Sequence, residues 1–257
     1  MDLATAAGLG LALVAVVVSA LMEGSALASL LKPSAAVLVL GGTIGATMIC
    51  YPLKDFLALP RLILRALRPP QLDPPGIAKL LVSLSETARR EGLLSLERQM
   101  GTFDDPFLRK GLRLAIDGNP PELVQSMLET EIALLSAKLK AEASIFETAG
   151  GFAPTMGIIG TVMGLVHVLG NLAEPEKLGE AIATAFIATF YGISTANLFW
   201  LPIGNKLKSL ARQEVLLKQL TLEGILSIQR GDNPYVVAEK LRSFLGEQQA
   251  KPEGDAA

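Results

Sequence analysis

Residues 148–173 read Thr148-Ala-Gly-Gly-Phe-Ala-Pro-Thr-Met-Gly-Ile-Ile-Gly-Thr-Val-Met-Gly-Leu-Val-His-Val-Leu-Gly-Asn-Leu-Ala173, 26 positions without Asp, Glu, Lys or Arg. The hydrocarbon core of a bilayer needs about 20 apolar residues in a helix, whereas buried helices of water-soluble proteins rarely run beyond about 14 uncharged positions. Three more blocks have the same character: Leu3–Met22 (20 residues), Pro33–Leu53 (21) and Ala181–Asn205 (25). The chain therefore reads as an all-α integral membrane protein with four transmembrane helices. Composition agrees, with half of the 257 residues hydrophobic, 19% charged and a mean hydropathy of +0.43. These values exclude an ordinary soluble globule and a disordered chain. Ala26-Leu-Ala28 resembles a signal-peptide cleavage site, but no basic residue precedes the first block, so that block is read as a retained helix.

Basic residues set the orientation. Of the 23 Lys and Arg, 13 lie between Lys54 and Glu147 and 8 lie after Asn205. The short connections carry only Lys32 and Lys177. Positive charge collects on the cytoplasmic side. The expected order is a first span over 1–22, a short periplasmic loop over 23–32, and a second span over 33–53. A cytoplasmic helical insert over 54–148 follows, then a third span over 149–172, a periplasmic loop over 173–180 and a fourth span over 181–204. A cytoplasmic tail over 205–257 has a disordered end. Both termini lie inside.

The insert holds 13 acidic residues beside its 13 basic ones, so it is a soluble helical region rather than a lipid-binding polybasic patch. Arg65 to Gly76 is a proline-rich linker. The spacing predicts helices from Gly76 and through Phe107–Ile116, then a long helix capped by Asn119 with Pro120 at its first position. Gly150 and Gly151 predict a kink where that helix meets the third span.

The net charge of −2 excludes a global basic field for nucleic acid. One cysteine (Cys50) and one histidine (His167) exclude an internal disulfide, a His-rich metal site and a Cys–His dyad. No catalytic constellation exists, so an enzyme is not expected, nor any cofactor apart from a transported cation.

Within the spans the informative feature is a lack. None of the four blocks contains a carboxylate, the group that intramembrane ion relays usually depend on. If the chain conducts ions, a partner must bring that group. What the spans do contain is small and hydroxylated residues. Gly157, Gly160 and Gly164 lie close to one helical face and suit close helix packing, with Thr161 about 40° away. The fourth span carries Thr184, Thr189, Ser194 and Thr195, and the second carries Gly41, Gly42, Thr43, Gly45 and Thr47. Pro154 and Pro202 sit near the inner ends of the third and fourth spans, where each removes a backbone hydrogen bond. In the insert, Arg89, Arg90 and Glu97 stand out. If one helix carried all three, Arg90 and Glu97 would share a face to within about 20°, giving a charged surface for docking a protein or a merely solvated one.

These pieces resemble a known arrangement, the A subunit of the bacterial flagellar stator, the MotA/PomA/MotP family within the MotA/TolQ/ExbB superfamily. The resemblance rests on Val39-Leu-Gly-Gly-Thr-Ile-Gly-Ala46, Arg90-Glu-Gly-Leu-Leu-Ser-Leu-Glu97, Ala153-Pro-Thr-Met-Gly-Ile-Ile-Gly-Thr161, Thr189-Phe-Tyr-Gly192 and Asn197-Leu-Phe-Trp-Leu-Pro202, in order and in the matching topology. It implies an inner-membrane homo-oligomer, five copies around two single-span B subunits (MotB/PomB-like), each bringing an intramembrane aspartate. It also implies rotation of the A ring driven by ion flow, and contact with the rotor protein FliG. By resemblance, Pro154 and Pro202 are hinges, and Arg89, Arg90 and Glu97 face the rotor. Arg98 stands where some relatives carry an acid. Thr161 and Thr189 match threonines of sodium-driven relatives, which favours Na+ over H+, since a hard cation prefers oxygen ligands. Ala188 stands where some of those relatives have another threonine. An ExbB/TolQ-type subunit, with three spans, and a stand-alone permease or scaffold are the competing readings.

Overall fold

The computed structural model describes residues 3–24, 27–170 and 175–245. Helices α1 (Leu3–Met22) and α2 (Pro33–Ala36) come first; α2 continues through a π-helical turn (Val37–Gly41) into α3 (Gly42–Cys50). Short α4 (Leu53–Phe56) and α5 (Leu59–Leu67) lead to α6 (Pro74–Glu91), a 3-10 segment (Leu93–Thr102) and α7 (Pro106–Ile116). The long α8 (Pro121–Gly170) is followed by α9 (Pro175–Thr195), a π-helical turn (Ala196–Trp200), α10 (Leu201–Arg230) and α11 (Pro234–Leu245). No strand occurs among the described residues. Among the described residues, four stretches are long and apolar enough to cross a membrane: Ala4–Met22, Pro33–Cys50, Pro121–Gly170 and Leu178–Arg230. The chain is an all-helical integral membrane protein. The residues from Glu247 onward, expected to be disordered, lie outside the described residues.

The chain divides into two compact units, one of residues 1–70 with 139–209 and the other of 71–138 with 210–257. The first holds the membrane helices. Its larger side chains gather at the end that leads to the insert, where Leu59, Leu62 and Ala66 of α5 pack with Phe146, Ala149 and Trp200. That stripe recurs at helical spacing, while Arg61, Leu64 and Arg68 on the other side of α5 are exposed or nearly so. Arg65 pairs with Glu142 (3.5 Å), and the Tyr51 hydroxyl lies 2.7 Å from that of Thr148.

The second unit is built as a water-soluble domain. Leu81, Leu84, Leu96, Leu108, Leu112, Leu128 and Ile225 are buried essentially completely. Asp105 caps α7 by accepting from the Phe107 amide (2.9 Å) and pairs with Lys218 (2.8 Å). After α7 the chain turns through Gly118, whose φ of +78° suits glycine because it has no Cβ to clash.

Two local expectations need correction. Asn119 is not the cap of α8. The Pro120 carbonyl accepts the first amide bonds, from Leu123 and Val124, and Pro121 takes the first helical position. The Asn119 side-chain amide instead donates to the Leu114 carbonyl at the end of α7 (2.8 Å), where terminal carbonyls lack intrahelical partners. Helix α8 runs through Gly150 and Gly151 as one element, and Leu201 packs where a side chain at Gly150 would lie. Finally, Arg89, Arg90 and Glu97 do not share one helix. Helix α6 ends at Glu91, Gly92 takes φ +84°, and Glu97 belongs to the 3-10 segment that follows.

Candidate functional site

The site is the seam between the membrane half of α8 and α9. Gly157 and Gly192 meet there backbone to backbone. A Cβ on Gly157 would stand 2.9 Å from the Ala188 carbonyl oxygen, and one on Gly192 would stand 2.5 Å from that of Ala153. Gly160 and Gly164 face the Ala188 and Ala185 methyls at a like distance of 2.5 Å. In lipid there is no hydrophobic gain from bringing apolar helices together, so small residues that permit close approach supply the packing. On the other side of α8, Gly42 of α3 lies against the Met156 side chain.

This close approach brings the oxygens together. The Thr161 hydroxyl contacts the Gly157 carbonyl (3.1 Å), the Ala185 carbonyl (3.2 Å) and the Thr189 hydroxyl. The Thr189 hydroxyl also reaches the Gly157 carbonyl, at 3.3 Å. Two hydroxyls and two carbonyls thus share one spot in the middle of the spans, and the blocks that build it contain no charged residue. Such a cluster is an oxygen-only environment of the type that replaces part of a cation's hydration shell. It carries no charge to bind one tightly.

At the Lys32 end of the seam lies a cavity of about 530 Å3, lined among others by Ser34, Gly160, Gly164, His167 and Thr184. Its edge is held by Lys32, paired with Glu180 at 2.9 Å. Tyr191 accepts from the Lys32 backbone amide (3.2 Å) and donates to the Leu30 carbonyl (2.5 Å), tying the approach to the second span onto α9. Neither Gly192, the counterpart of Gly157, nor the tie through Tyr191 stands out from spacing along a single helix. Their signal was the Tyr191-Gly192 pair itself, and only the partner helix gives it meaning.

The prolines flank the opposite end of the seam. Pro154 lies within α8 and cannot donate to the Gly150 carbonyl, one helical step back. Pro202 lies two residues past the π-helical turn Ala196–Trp200. A π turn re-registers the hydrogen-bond ladder, which suits a position where the next residue but one has no amide hydrogen. Arg89, Arg90 and Glu97 all sit exposed in the second unit, around the Gly92 turn. Arg90 reaches back to Glu86 at 3.2 Å, and the buried Ser95 and Leu96 anchor the 3-10 segment.

A multi-span helical subunit with a glycine-packed, oxygen-lined seam and a large insert after the second span is the class these features define. The Motility protein A N-terminal family matches residues 6–92, and the MotA/TolQ/ExbB proton channel family matches residues 99–220. Motility protein A of Bacillus subtilis is 36% identical over 246 residues, 95% of this chain and 91% of that one. The solved structure of C. jejuni MotAB superposes with a TM-score of 0.93 at 28% identity, covering 99% of this chain and 100% of that chain. The flagellar MotAB stator complex from Bacillus subtilis gives 0.88 at 36% identity, covering 94% and 95%. The chain belongs to the motility protein A family, within the MotA/TolQ/ExbB proton channel group. It is a membrane channel-family subunit and not an enzyme.

Proposed function

We propose that this chain is the A-type subunit of a flagellar stator in the bacterial inner membrane, with both termini cytoplasmic. The observation that carries the reading is the seam: four oxygens converge at Thr161 and Thr189 inside spans that hold no carboxylate. A cation cannot be bound and released there without a negative group from elsewhere. A single-span B-type partner with an intramembrane aspartate supplies it, and the MotAB complexes to which this chain is similar support such a partner. Several copies of the chain, five by family resemblance, surround the B dimer.

The cycle has three parts. A cation enters from outside and reaches the partner's carboxylate past Thr161 and Thr189. Its charge crosses a field worth about 2.3 kcal/mol per 100 mV. Release to the inside shifts the third and fourth spans about Pro154 and Pro202, where the helical ladders are already interrupted. The step turns the A ring, and Arg89, Arg90 and Glu97 pass it to the rotor protein FliG by surface electrostatics. The hydroxyl–carbonyl cluster favours Na+ over H+, because a dehydrated sodium ion needs oxygen ligands and a proton does not.

The test is motility of cells whose stators contain this chain and its B-type partner, with sodium replaced by potassium at constant pH. Swimming stops if sodium drives the motor; swimming at full speed overturns the sodium reading and leaves a proton-driven stator. Rotor contact is checked by Glu97→Lys, which abolishes torque until a compensating charge reversal is made on the rotor. Failure of every reversal removes the docking role.

A further inference from the structure

The cavity at the Lys32 end of the seam has two distinct ends. Its lining on α9 runs from Glu180 to Ala188, about 12 Å of helix. The Ala188 end is the wall of the oxygen cluster. Ala185 lines the cavity and gives its carbonyl to the Thr161 hydroxyl at 3.2 Å; Gly160 and Ala188, which also line it, directly precede Thr161 and Thr189. Between the two ends stand the hydroxyls of Ser34 and Thr184 and the His167 imidazole. Glu180 is the one carboxylate among the described residues of the lining.

The ion pair at the Glu180 end is oriented. Lys32 and Glu180 meet at 2.9 Å, yet the lysine side chain is 25% exposed and the glutamate 78%. Glu180 lines the cavity, and Lys32 is not part of the lining. Lys32 is pinned by its backbone amide, which donates to the Tyr191 hydroxyl, and by Pro33, which starts the next helix. The ammonium thus stands behind the carboxylate, and the negative end of the pair faces cavity and solvent. The hydrogen bond and charge of Lys32 hold the Glu180 carboxyl below its ordinary range, which keeps it ionised. An ion pair this exposed adds little stability. A fixed charge at the mouth of a cleft does change the local concentration of small ions.

We propose that this cavity is the vestibule through which the driving cation, still hydrated, enters the seam, with Glu180 collecting it and Lys32 limiting the attraction. An unopposed carboxylate would hold the ion at the mouth; the lysine behind it keeps the attraction weak enough for passage inward. The proposal rests on the stator reading above and on its orientation, which puts this end of the seam outside.

The test uses cells without stators of their own, supplied with the full chain and its B-type partner. Swimming speed is read against external sodium at constant pH and low ionic strength, with choline as the replacing cation. Lys32→Gln should need about half the wild-type sodium for half-maximal speed, and Glu180→Gln about twice as much. The double variant should fall between them, near the wild type. The shifts should shrink as choline chloride is added, because salt screens the field. A pair that only held the helices together would make both single changes impair rotation alike; that pattern, or no shift in either, overturns the proposal. Should Glu180→Gln not accumulate, Glu180→Cys in a Cys50→Ser background is labelled from outside. A sulfonate tag should lower the sodium requirement and a trimethylammonium tag raise it, and equal effects of the two overturn the proposal. A wild type that follows external proton concentration instead of sodium moves the comparison to the proton, with the same order of variants expected where Glu180 stays ionised. A wild type that restores no swimming overturns the stator reading and the proposal with it, a result distinct from shifts in the wrong direction.

Discussion

The two units of this molecule are packed by opposite means. In the insert-and-tail unit, large side chains interlock: Leu112, Leu128 and Ile225 are buried completely, and water expels them into a shared core. In the membrane unit, the decisive contact between the third and fourth spans has almost no side chain in it. Gly157 touches Gly192, and alanine methyls fill what remains. The difference follows from the solvent. Lipid tails solvate leucine as well as another leucine does, so only close backbone approach and hydrogen bonds reward association in the bilayer. A seam held by backbone proximity also brings carbonyl and hydroxyl oxygens together where a leucine core would bury them under methyl groups.

The strongest way to break this comparison is Gly192→Leu. Its new side chain meets the Ala153 backbone oxygen, which cannot rotate away, so the helices must part. The expected outcome is complete loss of motility and a loss of stability of about 3 kcal/mol or more by denaturation in detergent. A variant that swims would show that the seam is not close-packed. Next comes Leu112→Ala in the other unit, which leaves a cavity in a side-chain core and costs about 2–5 kcal/mol, read by hydrogen exchange along α7 and α11. The two should differ in kind: Leu112→Ala is partly rescued by a larger residue nearby, and Gly192→Leu is not.

Thr189→Ala sharpens the comparison on the functional side. It removes one hydroxyl without moving backbone, so stability should fall by only about 0.6 kcal/mol. Ion-driven rotation should fall steeply, measured as swimming speed against sodium concentration. An unchanged speed curve would take Thr189 out of the ion path.

The smallest effect lies at the surface of the second unit. Lys240, hydrogen-bonded to Asp232 at 2.7 Å, holds that carboxyl below its usual range, helped by Arg230. A lowered folded value means stability that is present above the ordinary Asp value and is lost as pH falls through the folded one. Acidification from about pH 4 downward should loosen α11, and Asp232→Asn should remove that part of the slope at a cost of about 0.2–1 kcal/mol at neutral pH. A slope unchanged in the variant would place the acid sensitivity elsewhere.

Much of this was legible along the chain. The uncharged blocks marked the four membrane helices, because the bilayer sets a length that no other environment demands. The absence of an intramembrane carboxylate was likewise plain, and with it the need for a partner. Local punctuation was read less well. Asn119 looked like a cap because cap residues are recognised by type, but two prolines in a row shifted the helix start by one position and left its amide to serve the previous helix. Arg89, Arg90 and Glu97 looked like one helical face until Gly92 turned the chain between them.

The sequence by itself determined the class of protein: helix count, lipid-facing composition, and the small and hydroxylated residues of the third and fourth spans. These are properties of each segment against its solvent, and a segment carries them alone. Only the tertiary structure decided that Gly157 opposes Gly192, that Thr161 meets Thr189, and that Tyr191 ties down the second span's approach. Those are pairings between segments, set by how closely two backbones can approach, and a helical period along one chain has no information about its neighbour's register.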